Sequence, residues 1–337
     1  VVVTVSHEGY IKRIPIDTYR SQGRGGRGIK GTESKEGDFV EHLFVANTHD
    51  YLLFFSNQGR VYERRVYDVP EMSRTSQGRS IANLLSFQPG EKIASVLAVK
   101  DFGKEEHFLM FATQKGTVKK TALSAYANIR QSGLIAIGLD DGDALIDVAV
   151  TEGKDHIILG TKSGLAIRFE ETDVRAMGRP AGGVTGARFK REGDEVVAML
   201  VVPNGENTAS KVLTACLKGY GKRTPLEEYP VKGRGTRGVI NIDANDRNGD
   251  VIGMKLVTDN DEVMLITEKG ILMRTKVSEI RETGRNAAGV RLIKIDDGDK
   301  LVAMAQIDAE EPVTDGETPA SEAPPSTNGD GEAPAAE

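Results

Sequence analysis

Arginine in a frame of glycines recurs along this chain. Four segments read Gly-Arg-x-x-x-Gly followed by Ile or Val: Gly23-Arg24-Gly25-Gly26-Arg27-Gly28-Ile29, Gly178-Arg179 to Gly183-Val184, Gly233-Arg234 to Gly238-Val239 and Gly284-Arg285 to Gly289-Val290. A fifth keeps Arg74 and Gly78 and adds Arg79, and a sixth is degenerate, with Arg130 one place late before Gly133. A guanidinium gives forked hydrogen bonds to phosphate oxygens. A glycine lets the backbone come close to an anion and offer its N–H. A second basic series stands four residues after a turn glycine: Arg13, Lys120, Arg168, Arg223 and Arg274. One copy has Glu63 there, followed by Arg64 and Arg65. Lys30, Lys119, Lys222 and Arg237 adjoin these positions. The chemistry is that of holding a polyanion, and Gln22 adds an amide donor to the first segment.

Other chemistries fit less well. Residues 23–28 and 233–238 match Gly-x-Gly-x-x-Gly, but Ile29-Lys30-Gly31-Thr32-Glu33 does not open the helix that a dinucleotide site needs. Asp140-Asp141-Gly142-Asp143 and Asp296-Asp297-Gly298-Asp299 could suggest Ca²⁺ or a carboxylate pair, yet both sit on a repeated turn and read as turn acids. Asp243 to Asp250 fails the EF-hand spacing. The five histidines make no His-x-His or His-x₃-His pair, so no zinc site or other metal site is expected. Cys216, in an apolar run, reads as a buried thiol. Tyr10, Tyr62, Tyr126 and Tyr220 could stack on bases, but at 5% aromatic content core packing is the simpler reading. A catalytic site is therefore not expected.

The elements that must carry these residues repeat six times. Gly-Asp/Glu turns at Gly37, Gly90, Gly142, Gly193, Gly249 and Gly298 each introduce alternating apolar residues, and hairpin glycines stand at 9, 59, 116, 164, 219 and 270. Short apolar runs with turn signals every ~8–12 residues indicate all-β structure. A period near 50 residues with about four strands per copy indicates a propeller-like ring. The expected fold is a six-bladed all-β ring of four-stranded sheets over residues 1–307, with blades at about 1–48, 49–104, 105–153, 154–208, 209–259 and 260–307. A strand lent from one blade to the next would leave the same pattern, so the wiring stays open. Equivalent positions of a closed ring lie at equal height, so a recurring cation becomes a curved basic track. A polyanion that meets one contact per blade fits that track, and duplex DNA is the natural candidate. With no base-reading helix in view, phosphate contact and DNA bending with little sequence specificity are expected.

Charge supports this. Overall the 337 residues carry −6. Nine of the 50 acids lie in residues 308–337, which contain no Lys or Arg, so 41 acids face 44 bases in the body: about +3 against −9 for the tail. That tail holds five of the twelve prolines and is expected to be disordered. One cysteine excludes a disulfide framework, and no apolar run approaches a membrane span. Val1 to Val5 has neither an initiator Met nor a signal-peptide pattern, so a cytoplasmic piece of a longer protein is expected.

Gln22-Gly23-Arg24-Gly25-Gly26-Arg27-Gly28 resembles the seven-residue GyrA box of bacterial DNA gyrase A subunits. Val45-Ala46-Asn47-Thr48-His49-Asp50, Gly116-Thr117-Val118-Lys119-Lys120-Thr121 and Gly219-Tyr220-Gly221-Lys222-Arg223-Thr224 agree with it, and the likeness spans about residues 1–307. The second box position is usually basic and is Gly23 here, which implies one phosphate contact fewer. The resemblance implies a six-bladed β-pinwheel with a disordered acidic tail that modulates wrapping. It implies duplex DNA wrapped in a positive sense around the rim, and ATP-dependent negative supercoiling by a type II topoisomerase holoenzyme. Gln22 to Gly28 would be the box. Arg13, Lys30, Arg64, Arg65, Arg74, Arg79, Lys119, Lys120, Arg168, Arg179, Lys222, Arg223, Arg234, Arg237, Arg274 and Arg285 would be the outer-rim contacts. The implied partners are the breakage-reunion domain of the same chain and the gyrase B subunit in an A2B2 assembly. ATP and Mg²⁺ would act elsewhere, with no cofactor on this domain and no cutting by it. The alternatives are a topoisomerase IV-type domain that orients DNA without a full wrap, and a propeller that scaffolds protein partners.

Overall fold

The computed structural model describes residues 1–15, 38, 40–73, 75–103, 106–204, 209–269 and 271–307. Within them the chain forms six antiparallel sheets around a ring, with only short 3₁₀ turns besides strands. No helix among them is long and apolar enough to cross a membrane.

Repeats 2 to 6 each run second strand, hairpin, third strand, 3₁₀ turn, outer strand, inner strand. In repeat 4 these are His156–Thr161, Leu165–Glu170, the turn Glu171–Asp173, Val184–Thr185 and Val196–Val202. The outer strand does not join its own sheet. Val184–Thr185 pairs with Thr117–Ala122 of repeat 3, and Val239–Ile240 of repeat 5 pairs with Leu165–Glu170 of repeat 4. Arg79–Ser80, Leu134–Ile135 and Val290–Arg291 are lent backwards in the same way. Five sheets thus have four described strands and the sixth has three, Leu272–Lys276, Glu262–Thr267 and Leu301–Ile307. Sheets and sequence repeats do not coincide. The inner strands pack side by side around the centre, and Leu301–Ile307 meets Val40–Val45, so the last blade touches the first.

The hairpins explain two of the recurring signals. The glycines at 9, 59, 116, 164 and 219 all have positive φ, between 76° and 90°. Three residues earlier a hydroxyl accepts from the N–H just beyond the turn: Ser6 from Tyr10, Ser56 from Arg60, Thr113 from Thr117, Thr161 from Leu165 and Thr267 from Ile271, at 3.1–3.3 Å. The turn acids close the other side. Asp38, Asp143, Asp194 and Asp299 accept from the N–H of Glu8, Lys115, Ser163 and Lys269. These aspartates serve the backbone. Among the described residues no cluster of His, Cys, Asp and Glu could hold a metal ion.

In repeat 5 the hydroxyl position is Cys216, which is fully buried. Burial pushes its thiol up to about 12, which makes it a poor nucleophile. Cys216→Ser restores the acceptor found in the other repeats. It is expected to shift the urea unfolding free energy by less than ~1 kcal/mol. A loss beyond ~2 kcal/mol would show that the thiol's packing, not the turn, dominates there.

The core lies between blades. Phe55, Phe111 and Tyr126 join blades 2 and 3 edge to face, with Phe55 and Phe111 ring centroids 5.6 Å apart. Val3, Phe54 and Tyr62 join blades 1 and 2. Met110, Leu159 and Phe169 join 3 and 4, Ile158, Val212 and Met254 join 4 and 5, and Leu213, Leu265 and Val277 join 5 and 6. Burial of this kind is worth ~25 cal/mol per Å² of apolar surface, so each blade is stable chiefly through its neighbours.

Candidate nucleic-acid interface

The last glycine of the Gly-Arg motif is a packing residue. Gly78, Gly183, Gly238 and Gly289 have positive φ. A Cβ on Gly183 would strike the Val118 carbonyl, and one on Gly238 the Ala166 carbonyl, of the strand that receives the lent pair. Glycine lets the outer strand dock there. Gln22, Gly23, Arg24, Gly25, Gly26, Arg27, Gly28, Lys30 and Arg74 lie outside the described residues.

The lysines beyond the hairpin glycines at 116 and 219 are not on the expected outer rim. Lys119 and Lys222 are fully buried and Lys120 nearly so. Lys119 Nζ donates to the Ala136 and Arg179 carbonyls. Lys222 Nζ donates to the Gly284 and Arg285 carbonyls, both at 2.6 Å. Burial lowers the Lys119 pKa to about 7 and the Lys222 pKa to about 8. The amine keeps two N–H donors in either protonation state. These three lysines face the protein interior, not a rim.

The next position staples each blade to its successor. Arg13 Nε donates to Val69 O at 2.7 Å. Lys120 Nζ lies 3.2 Å from Glu171 O and 3.8 Å from the buried Glu171 carboxylate. Arg168 donates to Leu226 O and Tyr229 O, and Arg223 to Ile280 O and Ser278 O. Each of these carbonyls is in or just after the 3₁₀ turn of the following repeat, while Arg223 also pairs with Asp259 and Arg168 with His156. Arg13 and Arg223 side chains are only 19% and 12% exposed. The recurrence of this series therefore reports a shared blade junction, not an exposed track. Repeat 2 shows what happens without the cation: Glu63 Oε2 is buried with no partner, and burial raises its pKa. Arg64 turns to Leu84 O and Arg65 stacks on Tyr51, 3.4 Å from the ring centroid, so both are committed near their own blade. Arg274 is exposed and pairs with Glu262.

The described arginines in and beside the Gly-Arg loops are more open. Arg79, Arg234 and Arg237 are exposed, and Arg179 and Arg285 are half-buried. Arg234 donates to Asp173 O and to Thr185 O at 3.0 Å, and Arg285 to Ile240 O at 2.9 Å. Thr185 and Ile240 are equivalent residues of successive outer strands. Arg234 and Arg285 thus each tie their own loop to the preceding outer strand, at equivalent places on successive blades.

Two further rim arginines do not recur in the repeat. Tyr220 lies between Arg247 and Arg291, whose guanidinium carbons are 4.6 and 5.5 Å from its ring centroid. Arg291 also donates to Tyr220 Oη at 2.9 Å, which lowers the tyrosine pKa. Both arginines are exposed. Arg291 occupies the second outer-strand position, which is Ser80, Ile135, Thr185 and Ile240 in other repeats, so no periodic signal could reveal it.

The family profile described as DNA gyrase C-terminal domain, beta-propeller, matches six stretches: residues 1–47, 50–100, 107–152, 155–203, 212–258 and 261–308. The DNA gyrase A subunit of Deinococcus deserti is 47% identical over 313 residues, 92% of this chain and 38% of that protein. Its counterpart in Salmonella typhimurium is 46% identical over 317 residues, 94% of this chain and 35% of that protein. The chain therefore spans a little over a third of these relatives. Among solved structures, the C-terminal domain of DNA topoisomerase IV superposes with a TM-score of 0.77 at 28% identity, covering 92% of this chain and 94% of the other. The DNA gyrase A C-terminal domain gives 0.74 at 27% identity, covering 91% and 99%.

Proposed function

We propose, for a chain that belongs to the DNA gyrase C-terminal domain family of β-propellers, that it binds duplex DNA along its outer edge and bends it around the ring. One observation supports this reading: Arg234 and Arg285 stand in the loops before successive outer strands, and each bonds the equivalent carbonyl of the preceding outer strand. Phosphates repeat along DNA as these cations repeat along the ring, and each contact releases condensed counterions. Little sequence specificity is expected, because contacts to repeating phosphates carry no base information.

In the full-length protein the wrap would present a crossing DNA segment to the breakage-reunion domain. With gyrase B, ATP and Mg²⁺ acting elsewhere, the outcome would be negative supercoiling in the bacterial cytoplasm. The domain itself would cut nothing. The likeness to the topoisomerase IV domain supports a second reading, in which DNA is bound and oriented without a full wrap.

Ligation of nicked plasmid in the presence of this chain tests the two. A wrapping domain shifts the ligated topoisomers to positive linking difference in proportion to the amount bound. Binding with no shift in linking number would reject wrapping and leave the orienting role. Binding that is insensitive to salt would reject both, because phosphate contact requires a log K that falls with log salt.

A further inference from the structure

We infer that Lys222 and Lys119, with Lys12 at the same repeat position, are positioning residues that hold the rim-arginine loops from below. The inference rests on the DNA-contact reading of those loops. All three lysines stand three residues after a hairpin glycine. Lys222 clasps the carbonyl of Arg285 itself and that of Gly284 before it. Lys119 clasps the carbonyl of Arg179 itself. Lys12 donates to Ser73 O and Ser76 O, 3.4 and 2.6 Å away, which bracket Arg74 in the sequence. In each case a buried amine of one repeat bonds main-chain carbonyls in the corresponding loop of the next.

Packing alone does not call for an amine. The same position is Tyr62 in repeat 2 and Ile167 in repeat 4, both buried in intact blades. Taking an ammonium out of water is costly unless its donors are satisfied, and here main-chain carbonyls accept them. Two bonds to adjacent carbonyls orient two successive peptide planes and so aim the side chain between them. Where the lysine is missing, other contacts meet the loop. Facing Tyr62, the motif is degenerate and Gly133 packs on the tyrosine ring. Facing Ile167, Arg234 keeps the outer-strand bond that Arg285 also makes and adds a second, to Asp173 O. The lysine thus limits the freedom that a rim arginine would lose on meeting a phosphate, which is the gain available from preorganisation.

A double-mutant cycle tests this with Lys222→Met and Arg285→Ala in the whole chain. The readout is the affinity for a labelled DNA duplex across a salt series, with folding checked by circular dichroism. Arg285→Ala is expected to reduce the salt slope by about one contact. Lys222→Met should reduce it by a similar amount although Lys222 is buried, and the double variant should lose no more than either single one. Lys222→Ile, the residue repeat 4 carries, should behave like Lys222→Met. A purely structural lysine would lower the melting temperature and leave the slope unchanged, which would overturn the inference, as would losses that simply add. Should the Lys222 variants not fold, Lys119→Met with Arg179→Ala runs the same cycle one blade pair earlier. If wild-type binding shows no salt slope, the DNA reading fails and the inference with it. A slope that responds to Arg285→Ala but not to Lys222→Met rejects the clasp alone.

Discussion

Replacing Arg234, Arg237 and Arg285 together by alanine is expected to abolish most of the linking-number shift while leaving the six-bladed fold intact. The three residues occupy the outer edges of two neighbouring blades, and Arg234 and Arg285 bridge from there to the edge before each. Bending 20–30 bp smoothly costs ~1–6 kcal/mol, so a wrap persists only if contacts continue along the whole arc. Losing them over two blades lets the DNA leave as a straight segment. Binding should weaken alike on all sequences, and the salt slope should fall by about three, one per phosphate contact. The lost carbonyl bonds of Arg234 and Arg285 should cost ~1 kcal/mol of stability each, too little to unfold a ring held by five inter-blade cores. Arg24→Ala with Arg27→Ala in the box is expected to remove the shift as well. If the triple variant still shifts linking number fully, the edge described by Arg234 and Arg285 is not the path of the DNA.

Much of the ring was readable in the residues alone. Six hairpin glycines and six turn acids gave the number of blades, because a tight turn with positive φ leaves few residue choices and the hairpin N–H beside it needs an acceptor. The lent outer strand was not readable. A two-residue strand such as Val184–Thr185 has no alternation to detect, and its partner lies one repeat away. The basic series misled for a related reason. In a closed ring every environment recurs, junctions between blades included. Recurrence marks Arg13, Lys120, Arg168 and Arg223 as equivalent without saying that they are exposed. The partners decide, and for all four these include main-chain carbonyls of the next repeat. Glu63 was the clue in the sequence: a phosphate track could skip one cation, but a carboxylate beside a carbonyl-lined junction carries a desolvation cost. Arg247 and Arg291 around Tyr220 fall outside any periodic argument and needed the structure.

The outer-strand glycines give the second large effect. Gly238→Ala is expected to destabilise the chain by ~2–5 kcal/mol in urea unfolding, and the value can be divided with a control. Gly238 has φ of +73°, and a Cβ there would meet the Ala166 carbonyl, its carbon and the Ile167 side chain. Gly193 has nearly the same backbone, φ of +78°, with nothing within 4 Å of an added Cβ. Gly193→Ala should therefore show only the left-handed penalty of ~1–2 kcal/mol. The excess at Gly238 measures the close docking of the lent strand onto the sheet of repeat 4, at ~1–3 kcal/mol for overpacking. That docking also places Arg234 and Arg237 at the edge, since they immediately precede Gly238 on the same loop. Gly238→Ala should thus weaken DNA binding under conditions where the chain remains folded, and Gly193→Ala should not. Equal destabilisation by the two substitutions would mean that the outer strand yields easily. In that case the final glycine of the motif would be kept for backbone conformation alone, and the edge would be a looser platform than the register of Val239 against Ala166 indicates.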